Sequence, residues 1–338
     1  TPIASSWSVP QLQDHLARAL SGEGPALSTS LLNQPQVKAH VALVVRTSGS
    51  TGDPKSVALT SRTLLANARA THKYLDAKPG DRWSLLLPTS HIAGINVLIR
   101  ALEMGTAPLS VSDKADFTAI VPTQLFRALN EDSELLRHLQ ACRAVLVGGG
   151  ALEPQLRQQA ETSNISVVES YGMTESCGGV VYDGTALDGI EFQLIDGRIA
   201  LRGNQIEPEY LDAPLELLDG WFLTSDYGEL IDGKLKVLGR LDDQIISGGE
   251  KISLSAIEAF LKVQFPEREI VAFAKSDAEW GDRLCLASTE LLPGESIRAQ
   301  LKERFGSHAS PKELITVPEI PYLSIGKPDR KKLAHDHA

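Results

Sequence analysis

The chain has 338 residues, 42% of them hydrophobic and 22% charged, with 33 Lys+Arg against 43 Asp+Glu and a formal net charge of −10 at pH 7. That composition excludes a disordered or fibrous chain, and the acidic balance argues against a nucleic-acid partner, which needs a basic face for the phosphates. At roughly 150 residues per domain, the length predicts two domains. Cys142, Cys177 and Cys285 are odd in number and far apart, so they offer neither a disulfide framework nor metal-ligand spacing, as suits a reducing compartment. No run of about 18 apolar residues occurs. The stretch from Thr1 to Pro10 lacks the basic-then-apolar order of a signal peptide, and the expectation is a cytoplasmic protein without membrane insertion.

In chain order, Val41-Ala-Leu-Val-Val45 reads as a buried strand followed by a Gly/Ser/Thr loop. Ser61 to Tyr74 has helical spacing, with Leu64, Leu65 and Ala68 on one face. Ser84 to Leu87 reads as a strand ended by Pro88, and Ile92 to Met104 as a helix. Ala119 to Pro122, Ala144 to Val147 and Val167-Val168 repeat the strand role. Strands separated by helical segments predict an α/β chain with a mostly parallel sheet and ligands at the strands' carboxyl ends. After about residue 188 the pattern changes. Glu191 to Ile195, Arg198 to Leu201 and Lys234 to Leu238 are cut by Asp196-Gly197 and Asp232-Gly233, pairs that suit antiparallel hairpins. A small α+β unit with a helix over Ser255 to Val263 is expected beyond a boundary near Gly239 to Asp242.

The most informative stretch is Thr47-Ser-Gly-Ser-Thr-Gly-Asp-Pro-Lys55. Thr47, Ser48, Ser50 and Thr51 supply hydroxyls, Gly49 and Gly52 allow backbone N–H groups to approach an anion, and Lys55 adds a charge. It is not a Walker loop, because that motif ends in Gly-Lys-Ser/Thr and here Pro54, not glycine, precedes Lys55. By itself the stretch reads either as a phosphate cradle or as a Ser/Gly-rich surface turn.

With the motifs that follow it, the sequence resembles the adenylate-forming enzymes: acyl-CoA synthetases, nonribosomal-peptide adenylation domains and luciferases. The loop is similar to their phosphate-binding signature, Tyr171-Gly-Met-Thr-Glu175 to the second and Thr224-Ser-Asp-Tyr-Gly228 to the third. Gly239-Arg-Leu-Asp-Asp243 with Ser247-Gly-Gly-Glu-Lys251 resembles the fourth, and Ser324-Ile-Gly-Lys327 with Arg330 the last. All stand in the family's order, over roughly Val41 to Leu333. Two departures are visible. Only 46 residues precede the loop, so part of the usual N-terminal subdomain is expected to be absent or minimal, and Ser225 replaces a common glycine.

The resemblance implies a large N-terminal adenylate-forming domain over residues 1–240, with a β-rich part from about 188, and a small mobile α+β domain over 241–338 hinged at Asp242. It implies ATP and CoA as co-substrates and Mg²⁺ as cofactor. Thr47, Ser48, Gly49, Ser50, Thr51, Gly52 and Lys55 would hold the β- and γ-phosphates. Gly148, Gly149 and Gly150 would admit the base, with Tyr171 against the adenine between Ser170 and Gly172. Thr174 would bond the α-phosphate and Glu175 would hold Mg²⁺. Asp226 would accept from the ribose hydroxyls, beside Arg240 and Lys251. Lys327 would stabilise charge during adenylation, although Gly326 to Lys332 also reads as a solvated basic tail. Gly248 and Gly249 would meet CoA.

Leu87-Pro-Thr-Ser-His-Ile-Ala-Gly-Ile-Asn-Val-Leu-Ile-Arg100 is similar to one subgroup, the o-succinylbenzoate–CoA ligases of menaquinone biosynthesis, which carry an arginine six residues after the glycine of His-x-x-Gly. The acid would then be an aromatic dicarboxylate, one carboxylate activated and the other paired with Arg100, with His91, Gly149 and Gly172 lining its pocket. A guanidinium on an apolar helix is costly without an anion. The other readings are that Arg100 snorkels or pairs with Glu103, and that His91 is an ordinary half-buried histidine. Activation of a different acid, or a non-catalytic nucleotide-binding relic, remain the alternatives.

Overall fold

The computed structural model describes residues 1–32, 36–47, 55–207, 209–211, 217–247, 250–277, 281–322 and 328–337, apart from the side chains of Asp242, Gln244, Lys251 and Ala259. The chain forms two compact units, Thr1–Thr224 with Glu229–Lys236, and Ser225–Gly228 with Val237–Ala338. Parallel and antiparallel sheets combine with helices in a mixed α/β architecture.

The first unit opens with helix α1 (Val9–Ser21), started by a reciprocal cap between Ser8 and Gln11. Strand β1 (Leu27–Ser28) runs parallel to β2 (Val41–Thr47), and β2 is antiparallel to β3 (Lys55–Thr60), with Val45 opposite Val57 and Thr47 opposite Lys55. Strand β3 goes beyond the sequence expectation. Ser56 to Leu59 is a short buried run, too brief for its periodicity to declare a strand. The Thr47–Lys55 segment therefore connects two antiparallel strands rather than a strand and a helix. Helix α2 (Ser61–Tyr74) begins immediately afterwards, because the Thr60 hydroxyl accepts from the Thr63 N–H at 3.1 Å and caps it.

Next come β4 (Trp83–Ser84), α3 (Ile92–Glu103), β5 (Phe117–Ile120), α4 (Pro122–Asn130), α5 (Ser133–Ala141), β6 (Ala144–Gly148), α6 (Pro154–Thr162), β7 (Val167–Met173), β8 (Gly178–Tyr182) and β9 (Thr185–Ala186). These strands form one sheet in the order β4-β5-β6-β7-β8-β9, parallel from β4 to β7 and antiparallel from β7 to β9. The strand expected over Ser84 to Leu87 is shorter than read: Leu85 N–H turns instead to the Leu109 carbonyl at 2.9 Å.

The position of α3 explains its long apolar run. Ile95, Leu98 and Ile99 pack with Leu43, Val45, Val57 and Leu59 of β2 and β3, whereas Val97 and Ala101 pack with Trp83, Phe117 and Leu146 of the second sheet. A helix buried on both sides needs apolar residues nearly all round, and each such side chain taken from water contributes about 1.5–3 kcal/mol. Two polar residues interrupt the run, Asn96 and Arg100, and both are buried at 3% exposure.

Further on, β10 (Ile190–Ile195) and β11 (Arg198–Gly203) form an antiparallel hairpin turned by Asp196 and Gly197, whose φ values of 50° and 77° are those of a type I′ turn. Strand β12 (Glu209–Tyr210) pairs antiparallel with β3, while β13 (Phe222–Ile231) and β14 (Lys234–Arg240) continue the sheet in the order β10-β11-β13-β14. The second unit holds β15 (Gln244–Ser247), β16 (Glu250–Ser253), α7 (Leu254–Gln264), β17 (Ile270–Asp277), β18 (Gly281–Ser288), α8 (Gly294–Phe305), β19 (Glu313–Thr316) and α9 (Arg330–Asp336). Its sheet runs β16-β15-β18-β17, with β19 parallel on β18; an apolar cluster of α7, α8 and strand residues forms one part of its core, and a second cluster around Phe273, Val317 and Leu333 another. Among the described residues no helix is long and apolar enough to cross a membrane.

The first core also buries His72 of α2, 6% exposed, with its ring centroid 6.1 Å from that of Trp83 and its Nε2 unpartnered among the described residues. Burial, and next the Arg100 charge, hold its pKa down at about 4, against a smaller opposing pull from Asp81. Unfolded, the ring takes a proton near pH 6.5; folded, it takes one only near pH 4. Between those values the unfolded state binds more protons, so stability falls as pH falls. From pH 7 to pH 5 this site should cost the wild type about 2 kcal/mol. Urea denaturation at both pH values should show that His72→Gln loses correspondingly less than the wild type; equal losses would mean that His72 does not set the acid limb.

Candidate active site

The ends of the hydroxyl-rich loop are fixed by the β2–β3 pair. Thr47 closes β2 and Lys55 opens β3, and the Thr47 hydroxyl donates to the Lys55 carbonyl at 3.2 Å. Ser48, Gly49, Ser50, Thr51 and Gly52 lie outside the described residues. Lys55 is exposed, and its Nζ stands 4.7 Å from the centroid of the Tyr210 ring.

At the carboxyl end of β6, Gly148 lies opposite Ser170 of β7, and a Cβ on Gly148 would meet the Ser170 carbonyl at 2.7 Å. Gly149 has φ +77°, and beside Gly150 only Pro122 comes near, at 3.8 Å, so this turn leaves open backbone of the kind a flat ring can approach. Strand β7 then carries Ser170, Tyr171 and Gly172 into a single 3₁₀ turn, Thr174–Ser176, before β8 returns. A Cβ on Gly172 would lie 2.0 Å from the Gly178 carbonyl, so only glycine lets the two strands approach here.

Buried side chains hold that turn. The Ser176 hydroxyl accepts from the Met173 N–H at 2.9 Å and stands 2.7 Å from the Gly178 carbonyl. From α3, Asn96 Nδ2 donates to the Cys177 carbonyl at 2.7 Å; from α2, Asn67 Nδ2 donates to the Gly179 carbonyl at 2.8 Å. Thr174 and Glu175 are thereby presented half-buried, and Glu175 Oε1 accepts from the Tyr210 hydroxyl at 2.8 Å.

Arg100 neither snorkels nor pairs with Glu103, whose carboxylate is taken by Arg69 at 2.6 Å. Its Nη2 lies 3.3 Å from Thr71 Oγ1 and from the Tyr182 hydroxyl and 3.4 Å from Asn67 Oδ1, its Cζ 5.1 Å from the Trp83 ring centroid, and its Nε has no partner among the described residues. Every one of those partners is neutral, and the bonds are long for a charged donor, which normally closes to about 2.7–2.9 Å. Burial pushes the Arg100 pKa down, as expected for a buried cation whose partners among the described residues are neutral. His91 is exposed at the start of α3. The following Gly94 is required, since a Cβ there would meet the Pro88 carbonyl at 2.3 Å.

The second unit brings Asp226, 6% exposed, within 3.6 Å of Arg240. Gly248, Gly249 and Lys327 lie outside the described residues, as do the side chains of Asp242 and Lys251. Arg330 is well placed: it donates to Asp243 at 3.0 Å, Glu258 at 2.7 Å and the Ala272 carbonyl at 2.8 Å. The sequence reading did not pick out Tyr210, Asn67, Asn96 or Tyr182. The i,i+4 polar pairs Asn67/Thr71 and Asn96/Arg100 on otherwise apolar helix faces were the available signal. Tyr210 carried none. Cys142 and Cys177 are buried thiols pushed up to about 12 by desolvation, and take no part in this chemistry.

Residues 5–199 match the family of AMP-binding enzymes. A probable 2-succinylbenzoate–CoA ligase of Mycobacterium tuberculosis is 35% identical, in an alignment that covers 99% of this chain and 96% of that protein. Among solved structures, o-succinylbenzoate CoA synthetase (MenE) from Bacillus subtilis in complex with the acyl-adenylate intermediate OSB-AMP is similar at a TM-score of 0.76 and 23% identity, over 95% of this chain and 80% of that one. The same enzyme in complex with ATP and magnesium ion gives a TM-score of 0.76 and 23% identity over 98% and 83%. At that identity the likeness speaks for the fold.

The glycine geometry gives a paired expectation. Gly172→Ala should destabilise the fold by about 1–3 kcal/mol, because β7 and β8 must separate, whereas Gly150→Ala should stay within about 0.5 kcal/mol. Urea denaturation of both variants checks this, and equal stabilities would refute the close approach at Gly172.

Proposed function

The chain belongs to the AMP-binding enzyme family, and within it we propose that the protein is a 2-succinylbenzoate–CoA ligase, which converts ATP, 2-succinylbenzoate and CoA to 2-succinylbenzoyl-CoA, AMP and diphosphate in menaquinone biosynthesis. The observation that carries the substrate is Arg100, a buried guanidinium with neutral partners at long distances. A buried cation of this kind is costly until an anion joins it. A substrate with two carboxylates meets the need, since one reacts and the other stays charged. The name of the 35% identical relative supports the same acid.

In the first half-reaction a carboxylate oxygen of the acid attacks the α-phosphorus of ATP, and the bond to the bridging oxygen of the diphosphate breaks. In the second, the CoA sulfur attacks the acyl carbon, its proton leaves to water, and AMP departs. In this proposal the loop from Thr47 through Ser48, Gly49, Ser50, Thr51 and Gly52 to Lys55 binds the β- and γ-phosphates. Gly148 to Gly150, Ser170, Tyr171 and Gly172 accommodate adenine and the acid, and Thr174 donates to the α-phosphate. Asp226 accepts from the ribose, with Arg240 and Lys251 near the nucleotide; Lys327 supplies positive charge in the first half-reaction, Asp242 is the hinge, and Gly248 and Gly249 meet CoA.

Glu175 fits a magnesium ion. Its carboxylate is oriented by Tyr210 through one oxygen, and Mg²⁺ typically takes one or two carboxylates together with substrate phosphates and water. Bound there, the ion would neutralise phosphate charge. A cytoplasmic setting, where ATP and CoA are supplied, completes the proposal.

ATP–diphosphate exchange with a panel of acids tests it. Exchange should require 2-succinylbenzoate and fall sharply for a keto-acid analogue without the benzoate carboxylate. Exchange with some other acid only would replace the substrate, and none with any acid would overturn the enzyme reading. Lys327→Ala should slow adenylation about 10²–10³-fold while leaving thioester formation from supplied acyl-adenylate largely intact. Equal losses in the two half-reactions would refute that role.

A further inference from the structure

Tyr210 stands between two groups that the proposed function uses for different parts of one substrate. Its hydroxyl donates to Glu175 Oε1 at 2.8 Å, and its ring face lies 4.7 Å from the Lys55 ammonium. The backbone makes this arrangement firm. Strand β12 pairs with β3 in a register that sets Tyr210 opposite Val57 and Glu209 opposite Ala58, and the Leu211 N–H donates to the Ser56 carbonyl at 2.9 Å. The tyrosine is thus laced to the same strand that Lys55 begins. Next to it, Glu209 pairs with Lys38 at 2.9 Å, which holds the outer end of the short strand.

The Tyr210 hydroxyl is the donor and Glu175 Oε1 the acceptor of this bond. A hydrogen bond to one carboxylate oxygen favours one orientation of the group and so biases the direction of the second oxygen. The ring face meanwhile attracts the Lys55 ammonium without neutralising it, as a carboxylate would.

We propose that Tyr210 is a positioning residue for the adenylation reaction: it orients Glu175 toward the cation that accompanies ATP and holds Lys55 on its ring face beside the phosphate loop. This rests on the reading of Glu175 and Lys55 given above. Neither composition nor motif spacing marks this tyrosine, and the family match ends at residue 199, before it.

Two variants separate the contributions of the two ends of the side chain. Tyr210→Phe removes only the hydroxyl, and Tyr210→Leu removes the ring face as well. The readout is Mn²⁺ binding to the full-length protein in saturating ATP, followed by spin resonance, alongside ATP affinity without metal and the thermal midpoint of the free protein. Tyr210→Phe should weaken Mn²⁺ binding about 10–100-fold while leaving the metal-free ATP affinity and the thermal midpoint near wild type. Tyr210→Leu should in addition weaken metal-free ATP binding about 2–5-fold. Glu175→Gln should weaken Mn²⁺ binding, and combining it with Tyr210→Phe should add little. Wild-type Mn²⁺ affinity in Tyr210→Phe, or additive losses in the double variant, would overturn this inference and leave the proposed function standing. A wild type that binds ATP without any metal dependence would overturn both. Should Tyr210→Leu fail to fold, the comparison of Tyr210→Phe with Glu175→Gln still decides the matter.

Discussion

Two hydrogen bonds donated by side-chain amides decide where the chemistry can be. Asn96 and Asn67, on helices that are otherwise packed in apolar surroundings, donate to the carbonyls of Cys177 and Gly179 at 2.7 and 2.8 Å. The bond to Cys177 is buried, so losing it would leave a buried carbonyl unpaired, at a cost of about 1–3 kcal/mol. The carbonyls belong to Cys177, just before β8, and to Gly179 within it, directly after the turn of Thr174, Glu175 and Ser176. Helix α3 thus has two tasks. Its apolar residues join two sheets, and its Asn96 sets the height of the turn that presents Glu175.

Arg100, one helical turn after Asn96, opposes stability at the same place. Among the described residues its neighbours are Asn67, Thr71, Tyr182 and the Trp83 face, none of them an anion. Helix burial on both sides supplies the stability that keeps such a cation in the core, and beside it Thr71 and Tyr182, 3.0 Å apart, are bonded to each other. The strain is electrostatic rather than conformational. It also reaches His72, which is kept neutral partly by the same charge.

Much of this was legible from residues alone where a local rule has a local cause. Ser61–Tyr74 is a helix with the expected ends because Thr60 caps it, and Asp196-Gly197 turns a hairpin because both residues take positive φ. The partners of Arg100 were not legible. They come from α2, β4 and β8, and no spacing rule joins positions 67, 71, 83 and 182 to position 100. Strand β3 escaped because its apolar run, Val57 to Leu59, is too short to have a periodicity of its own, and Tyr210 because its importance lies in pairing with a strand about 150 residues earlier in the chain. Motif order pointed to the phosphate loop, the glycine turn and the Thr174-Glu175 pair. The support beneath them is tertiary.

The account turns on whether the Arg100 charge is held for a ligand, and Arg100→Met measures that directly. Methionine fills similar space without charge, and replacing a buried unmatched ion by an apolar side chain is often stabilising by about 1–4 kcal/mol. Thermal unfolding should be followed for wild type and variant, free and with 2-succinylbenzoate plus a non-hydrolysable ATP analogue. The free variant should melt above the free wild type, and only the wild type should gain stability when the acid is added to the analogue. A variant that melts lower when free, yet gains as much from the acid as the wild type, would contradict the account.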